Sequence, residues 1–298
     1  MSYRLNDIPI TDYGAVPIAR SGYLALTGIF DLPKRKGNTE HSWGTSIEPY
    51  LKECDIDIDG RALTLSVGIR DHNLQSLTKK VAAFTNACKE CRSIATAFDT
   101  FNVYCTGQVE VQEFGHFAII TTRFWQEDIE WKEIKDVTPS YGNGYVMDGY
   151  NLARDFGIHI ANKQSFDSIA KRIDIPTTEF YRQTRWREQT TVRLHCSMIG
   201  RDVADLYRKM RQFHKLIYRS GIRILQWSTG GDGGIHSVAH VYCTRGFTVQ
   251  IPAQTMLRFS IPLVVEEIFN NNLNYLRVTA PDRSLRYTEN REVRFTNS

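Results

Sequence analysis

The sequence repeats itself, and the repeat limits the possible folds more than any other feature. The Asp-Tyr-Gly of residues 12–14 returns as the Asp-Phe-Gly of residues 155–157. The Phe-Asp-Leu-Pro of residues 30–33 returns as the Ile-Asp-Ile-Pro of residues 173–176. Both pairs are separated by 143 residues, which indicates two similar units in tandem.

Further matches follow in the same order along the chain: Trp43 with Trp186, residues 63–69 with 192–198, residues 103–106 with 241–244, and residues 123–124 with 258–259. The spacing falls from 143 at the Trp43 match to 129 at residues 63–69, which leaves 14 extra residues in the first unit. We place this insert within residues 44–57.

The repeat predicts the domain organisation. Residues 1–127 form the first domain, residues 128–151 a turn-rich linker, and residues 152–269 the second domain. The remaining residues, 270–298, are polar and are expected to form an extended C-terminal arm that lies on a neighbour.

Each unit shows one amphipathic helix. Apolar residues follow Asp71 at helical spacing: Leu74, Leu77, Val81, Phe84, Cys88 and Cys91. A matching stripe follows Asp202: Val203, Leu206, Met210, Phe213 and Ile217. Asp71 and Asp202 are the predicted N-caps, and Ser220-Gly221 is the predicted end of the second helix.

Around each helix the pattern changes to strict alternation, which predicts strands over residues 63–69 and 192–198. A β-hairpin is predicted after each helix, at residues 109–125 and 247–265. One helix cannot cover both faces of a sheet. We therefore predict an α+β, mainly β fold: two homologous antiparallel β-sandwich domains, each with one packed α-helix.

Composition excludes several classes of protein. The 298 residues are 42% hydrophobic, too apolar for a disordered chain, and the net charge of +4 is too diffuse for a dedicated nucleic-acid binder. Neither a signal peptide nor a membrane span is predicted, so synthesis in the cytosol is expected. Six cysteines without paired spacing indicate reduced, mostly buried thiols.

Several motifs could carry chemistry, but each has a structural explanation that we favour. Cys88 and Cys91 form a CxxC, yet Cys88 matches Ile217 in the helix stripe, which favours two buried core residues. The glycine run at residues 230–234 resembles a hairpin loop more than a phosphate cradle. His195, His236 and His240 are too widely spaced along strands to share one metal ion.

The remaining candidates are aromatic and charged. Trp43 and Trp186 are interpreted as core residues rather than ligand platforms. The run with Arg182, Arg185 and Arg187 is assigned to a subunit or domain interface, and the acidic residues 127–133 to a solvated connector. We therefore predict no enzyme activity and no catalytic, cofactor-binding or metal-binding residues.

Together these features resemble the ring-forming N-terminal domain of phage distal tail proteins, a family related to tail tube and baseplate hub proteins. The resemblance rests on the opening Asp-Tyr-Gly, the Leu-Pro-Lys-Arg-Lys-Gly of residues 32–37, a strand ending at Ile69, one helix and a closing hairpin. It is a similarity of fold. In that family a long loop between early strands contacts a neighbouring ring, so the resemblance implies that the insert at residues 44–57 contacts a neighbouring ring or subunit. Unlike many distal tail proteins, this chain has only a short polar segment after the second unit, which argues against a sugar-binding domain there.

The resemblance implies a structural virion protein of a phage tail. Two such domains per chain imply a homotrimeric, pseudo-sixfold ring at the distal end of the tail tube, which links the tube to the baseplate or tip. Expected partners are the tail tube protein and tip or hub proteins, with DNA only in transit through the lumen and no membrane insertion. Its expected location is the virion tail.

Three alternatives remain open. A major tail tube protein or a baseplate hub would share the same fold. A carbohydrate-binding β-sandwich module would use exposed Tyr and Trp side chains as stacking platforms. A zinc- or thiol-dependent enzyme would use Cys88 and Cys91.

Overall fold

The computed structural model describes residues 2–19, 22–42, 47–129, 134–166, 171–176, 181–186, 190–228 and 237–270. Trp43, the glycine run at 230–234, His236 and the predicted arm beyond residue 270 lie outside the described residues.

The first half of the chain contains one long helix, α1 (Leu74–Lys89), and short 3-10 turns at Ile10–Tyr13 and Glu53–Asp55. Its strands are β1 (Arg4–Leu5), β2 (Ile8–Pro9), β3 (Ala15–Pro17), β4 (Leu26–Thr27), β5 (Glu40–Ser42), β6 (Ile47–Pro49), β7 (Arg61–Arg70), β8 (Ser93–Ala95), β9 (Thr100–Asn102), β10 (Tyr104–Cys105), β11 (Glu110–Phe114) and β12 (Phe117–Gln126).

The second half contains a short helix, α2 (Leu152–Phe156), and a long one, α3 (Val203–Ile217). Its strands are β13 (Tyr145–Met147), β14 (Tyr150–Asn151), β15 (Ile158–Phe166), β16 (Lys171–Pro176), β17 (Tyr181–Trp186), β18 (Thr190–Ile199), β19 (Arg223–Trp227), β20 (Ser237–Tyr242), β21 (Val249–Ala253) and β22 (Met256–Asn270).

Every strand pair in the described ranges is antiparallel, and each half is built around one main sheet. The first half has the order β10-β12-β7-β3, with β11 on β12 and β4 on β7, beside a smaller sheet β2-β1-β8-β9. The second half has the order β14-β13-β19-β20-β22-β18-β15, with β21 on β22. The hairpins β5–β6 and β16–β17 stand apart from these sheets. The predicted α+β, mainly β class is confirmed.

The two long helices lie where the apolar stripes predict them. Leu77, Val81, Phe84 and Cys88 are buried on α1, but Leu74 is exposed and Cys91 lies beyond the helix end. All five predicted stripe residues of α3 are buried. The prediction of Asp202 as N-cap is confirmed, since its side chain accepts the Asp205 amide at 2.8 Å.

The predicted N-cap of the first helix is wrong. Asn73, not Asp71, caps α1 and accepts the Gln75 amide at 2.9 Å. Asp71 instead lies just before the cap, where it accepts from Ser76 at 2.6 Å and from Lys80 at 2.7 Å. Asp and Asn are both favoured at N-cap positions. The path of the chain after β7 decides which of the two residues begins the helix. The helix α3 ends at Ile217, before the predicted Ser220-Gly221.

Matched residues of the repeat occupy matched places. Gly14 and Gly157 both follow a short helical turn with φ of 70°, the left-handed region that glycine favours. The aromatic residue before each glycine packs on its long helix: Tyr13 on Phe84 at 5.7 Å between ring centroids, and Phe156 on Phe213 at 5.6 Å.

The strand ladders correct one sequence match. Leu63 on β7 lies opposite Phe124 on β12, and Val192, its repeat partner on β18, lies opposite Leu263 on β22. Phe124 therefore corresponds to Leu263, not to Phe259. The pairing of residues 123–124 with 258–259 was off by four positions because identical residue types recur along an alternating strand.

A single hydrophobic core runs through both halves. It includes residues from the first sheet and α1, from the second sheet and α3, and from the segment at residues 24–32. The described parts of the chain contain no helix long and apolar enough to span a membrane.

Candidate functional site

The two cysteines of the CxxC are core residues. Cys88 and Cys91 have no exposed surface, and Cys91 donates to the Ser93 carbonyl at 3.2 Å. Burial raises the pKa of Cys88 to about 12 and that of Cys91 to about 11. At neutral pH both thiols are therefore mainly in the protonated form, which is a poor nucleophile.

The histidines lie apart. His195 on β18 contacts the Ser260 hydroxyl at 2.8 Å and the Gln164 side chain at 3.1 Å. His240 lies on β20, opposite Glu267 in the ladder. No group of three or more His, Cys, Asp or Glu side chains with metal-binding geometry occurs in the described part of the chain.

The other candidates fall in different places. Arg182, Arg185 and Trp186 lie on β17, paired with β16, whereas Arg187 lies outside the described residues. Of the acidic connector, Glu127 accepts from the Trp125 indole at 2.7 Å and from Lys36 at 3.3 Å.

The described part of the predicted insert contacts the second half of the same chain. The Gly221 amide donates to the Leu51 carbonyl at 2.8 Å. Arg35 in turn holds the insert by donating to the Asp55 carbonyl at 3.0 Å. These contacts are within one chain, and contacts to another subunit stay a prediction.

The most extensive constellation in the structure is the junction between the two halves. Leu32 and Phe247 exchange two backbone hydrogen bonds of 3.0 Å as an antiparallel bridge, and the Arg35 amide donates to the Thr244 carbonyl at 3.1 Å. The Tyr23 amide donates to the Ile251 carbonyl at 2.9 Å. The segment of residues 23–35 thus lies along the outer edge of β21 and the loop before it.

Asp31 anchors this bridge. Its carboxylate accepts the Val249 amide at 2.7 Å, across 218 residues of sequence. Burial raises the pKa of Asp31 to about 6, although the Val249 hydrogen bond and the charge of buried Arg61 act in the opposite direction. Gly246 permits the close approach, because a Cβ at this position would lie 2.0 Å from the Leu32 carbonyl oxygen.

The outer face of α3 completes the junction. The Tyr207 ring contacts Phe98, Phe101 and Phe30 at centroid distances of 4.9, 5.8 and 6.0 Å. Its hydroxyl donates to Asp99 at 2.7 Å, and Arg211 pairs with the same carboxylate at 3.1 Å. Just beyond the end of α3, the Tyr218 hydroxyl donates to the Pro33 carbonyl.

His214 lies on the same face of α3. It is buried against the Phe247 ring at 5.7 Å. Burial and the nearby charges of Arg61 and Arg211 lower its pKa well below the ordinary value, so the imidazole is neutral at physiological pH.

The connection between the halves also packs on α3. Lys215 donates to the Ile134 carbonyl at 2.7 Å and pairs with Asp136 at 2.8 Å. Gln212 donates to the Lys135 carbonyl at 3.1 Å. Residues 134–136 of the linker are therefore held against the junction.

The corresponding strand and helix face of the first half, β11 and the outer face of α1, carry exposed side chains. Among the described residues β11 pairs only with β12, and its Val111 and Phe114 side chains are 37% and 60% exposed. The outer face of α1 is also exposed at Thr78, Ala82 and Lys89. An open strand edge beside an uncovered helix face is suited to pairing with another chain rather than to chemical catalysis.

Sequence analysis identified part of this site. It matched the segment of residues 30–33 in both units but assigned Asp31 no role. It also missed Tyr207 and Asp99, although the aromatic and charged residues on the second face of α3 could have indicated a helix covered on both sides.

Comparisons with known proteins give little sequence support. No family model matches the chain, and no curated protein matches it. Among solved structures, the SPP1 Dit protein, a paradigm of the hub adsorption apparatus in phages that infect Gram-positive bacteria, aligns over 90% of this chain and 98% of its own. The identity is 10% and the TM-score 0.30. Similarity at this level does not establish a shared function.

Proposed function

We propose that this chain is a structural protein of a phage tail, three copies of which close a pseudo-sixfold ring at the distal end of the tail tube. The observation that carries the proposal is the junction itself. In each half a long strand, a long helix and a closing hairpin follow one another in that order, and the halves meet head to tail: the segment of residues 23–35 of one lies on the β21 edge and α3 face of the other.

A head-to-tail contact between similar units has a geometric consequence. Such an interface uses two different surfaces, so each unit keeps one of each kind free, and repetition closes a ring or extends a filament. With two units per chain, three chains supply six positions. Closure would also cover the open edge of β11, which otherwise exposes backbone groups to aggregation.

In this proposal the chain has no catalytic role. Its partners are further copies of itself, the tail tube protein, and tip or hub proteins, and DNA passes only through the lumen. The protein is made in the host cytoplasm and is located in the virion tail. Copy number separates the related roles, since a tube contains many stacked rings and a distal ring or a hub contains one.

Native mass spectrometry and negative-stain imaging of the purified chain test this proposal. We expect trimers with a central hole and six lobes. A monomer at all accessible concentrations that binds a glycan, and loses binding in Trp43→Ala or Trp186→Ala while remaining folded, would instead support a carbohydrate-binding module.

A further inference from the structure

We infer that a second copy of this chain docks on the open edge of β11 and the outer face of α1, through residues 173–176, in the way that residues 30–33 dock within the chain. The inference rests on the proposed function in taking the partner to be the same chain. It adds which surfaces meet and which groups pair.

The strand ladders identify the docking edge. Val249, which donates to Asp31, lies opposite Phe259 on β22, and Gln250 lies opposite Arg258. In the first half, Val111 lies opposite Ile120, and Ile120 corresponds to Phe259 through the β7 and β18 ladders. Val111 therefore corresponds to Val249, and Val109 corresponds to Phe247.

The Val111 amide points toward the open edge. Phe114 and Phe117 flank a two-residue turn, so they form a hydrogen-bonded pair. Bonded and non-bonded pairs alternate along an antiparallel ladder, which makes Val111 and Ile120 a non-bonded pair. The N–H of Val111 thus faces away from β12, as that of Val249 faces away from β22 toward Asp31.

The docking segment is the repeat of the one that docks internally. Residues 173–176 match residues 30–33 at the common spacing of 143, which places Asp174 at the position of Asp31 and Pro176 at that of Pro33. Residues 173–176 belong to β16, whose only described pairing is with β17, outside the main sheet.

The two long helices show the same relation. Tyr207 and Arg211 on α3, and Tyr218 just beyond its end, contact the first half, and their equivalents are Thr78, Ala82 and Lys89 of α1. His214, which packs on Phe247 on the same face of α3, corresponds to Thr85. The α1 residues leave room for a neighbour because three of them are small.

The loop before the docking strand also differs between the two surfaces. Gln108 stands where Gly246 stands, and the first half carries its glycine one residue earlier, at Gly107, with open space around it. A side chain at residue 108 requires the two backbones to lie farther apart there than Gly246 and Leu32 do. The hydrogen bond between Asp174 and Val111 is then the main directional contact of this interface.

Two single variants test the pairing from opposite sides. Asp174→Ala removes the acceptor, and Val111→Pro removes the outward N–H while leaving the β11–β12 hydrogen bonds intact. Each is expected to raise the dissociation constant between chains by about 10- to 100-fold, the effect of losing one hydrogen bond to a charged group. Sedimentation velocity measures it, and circular dichroism with a melting temperature confirms folding. Glu113→Ala, on the same strand, is the matched control and is expected to associate like the wild type.

An equimolar mixture of the two variants gives a sharper result. The Val111→Pro chain keeps Asp174, and the Asp174→Ala chain keeps the Val111 amide, so these two groups can form one contact between the chains. The free ends of the resulting heterodimer carry the Val111→Pro and Asp174→Ala substitutions, so neither end can bind a further chain. Heterodimers that grow no further are expected. Association of both variants like the wild type would overturn the inference, as would a wild-type chain that stays monomeric at about 100 μM.

The outcomes separate this inference from the proposed function. Wild-type rings that persist in both variants leave the ring proposal standing and refute the docking surface. Open dimers or filaments that both variants abolish support the docking surface and refute the closed ring.

Discussion

At the scale of single residues, the junction depends on a buried carboxylate. Asp31 accepts a hydrogen bond from the Val249 amide. Its pKa is raised to about 6 because burial disfavours the charged carboxylate more than the hydrogen bond and the positive charge of Arg61 stabilise it. In the folded state Asp31 binds a proton more tightly than in the unfolded chain. Its contribution to stability is therefore largest below pH 4 and is lost as the pH rises through 6.

Asp31→Asn isolates this effect. The amide oxygen can still accept from Val249, but the residue no longer titrates. We expect the unfolding free energy of the variant to rise relative to that of the wild type by about 1–3 kcal/mol between pH 4 and pH 7. Urea unfolding at each pH measures the difference in unfolding free energy between variant and wild type. His214 titrates in both proteins, so its contribution cancels in this difference. A constant difference across that range would contradict the raised pKa.

At the scale of elements, α1 and α3 share a core stripe and differ on the opposite face. The shared stripe packs each helix on its own sheet. The second face of α3 carries Tyr207, which packs on the first half, and His214, which is buried against Phe247. The equivalent positions of α1 carry the smaller Thr78 and Thr85. The two helices therefore pack on their own sheets in the same way, but only the outer face of α3 contributes to the stability of the junction.

Equivalent positions on the two helices make this testable. Tyr207→Ala removes a buried ring and leaves Asp99 without its hydroxyl donor, and we expect a loss of about 3–5 kcal/mol in stability. Thr78→Ala, its matched control on α1, is expected to change stability by less than about 0.5 kcal/mol in the monomer. Equal losses in the two variants, measured by chemical denaturation, would mean that the junction contributes little.

At the scale of the whole molecule, the two halves are joined by one core. The bridge between Leu32 and Phe247, the packing around Tyr207 and the linker contacts of Lys215 lie along one continuous junction. Separating the halves would expose apolar surface on both. Unfolding is therefore expected to involve both halves together.

Gly246→Ala tests this coupling. The added Cβ would meet the Leu32 carbonyl oxygen at 2.0 Å, so the junction must open, with an expected loss of about 2–3 kcal/mol. In scanning calorimetry the wild type is expected to give one transition, and the variant one transition at lower temperature. Gln108→Ala is the control for the same loop in the first half. Two wild-type transitions, only one of them shifted by the variant, would show halves that unfold independently.

Much of the fold was predictable because its signals are local. The apolar stripes of α1 and α3 and the alternation of β7 and β18 depend on residues within a few positions of each other. The N-cap of α1 was misassigned by two residues, since Asp71 and Asn73 are both suitable caps and the path out of β7 decides between them.

What the sequence determined by itself is the repeated unit: two copies of a strand, a helix and a hairpin in one order. What only the tertiary structure decided is how the units meet. Asp31 and Val249 are 218 residues apart, and no local pattern links them. Their contact arises because the first unit places an extended segment beside an open strand edge of the second, and backbone pairing at an edge depends on position in space rather than on side-chain pattern.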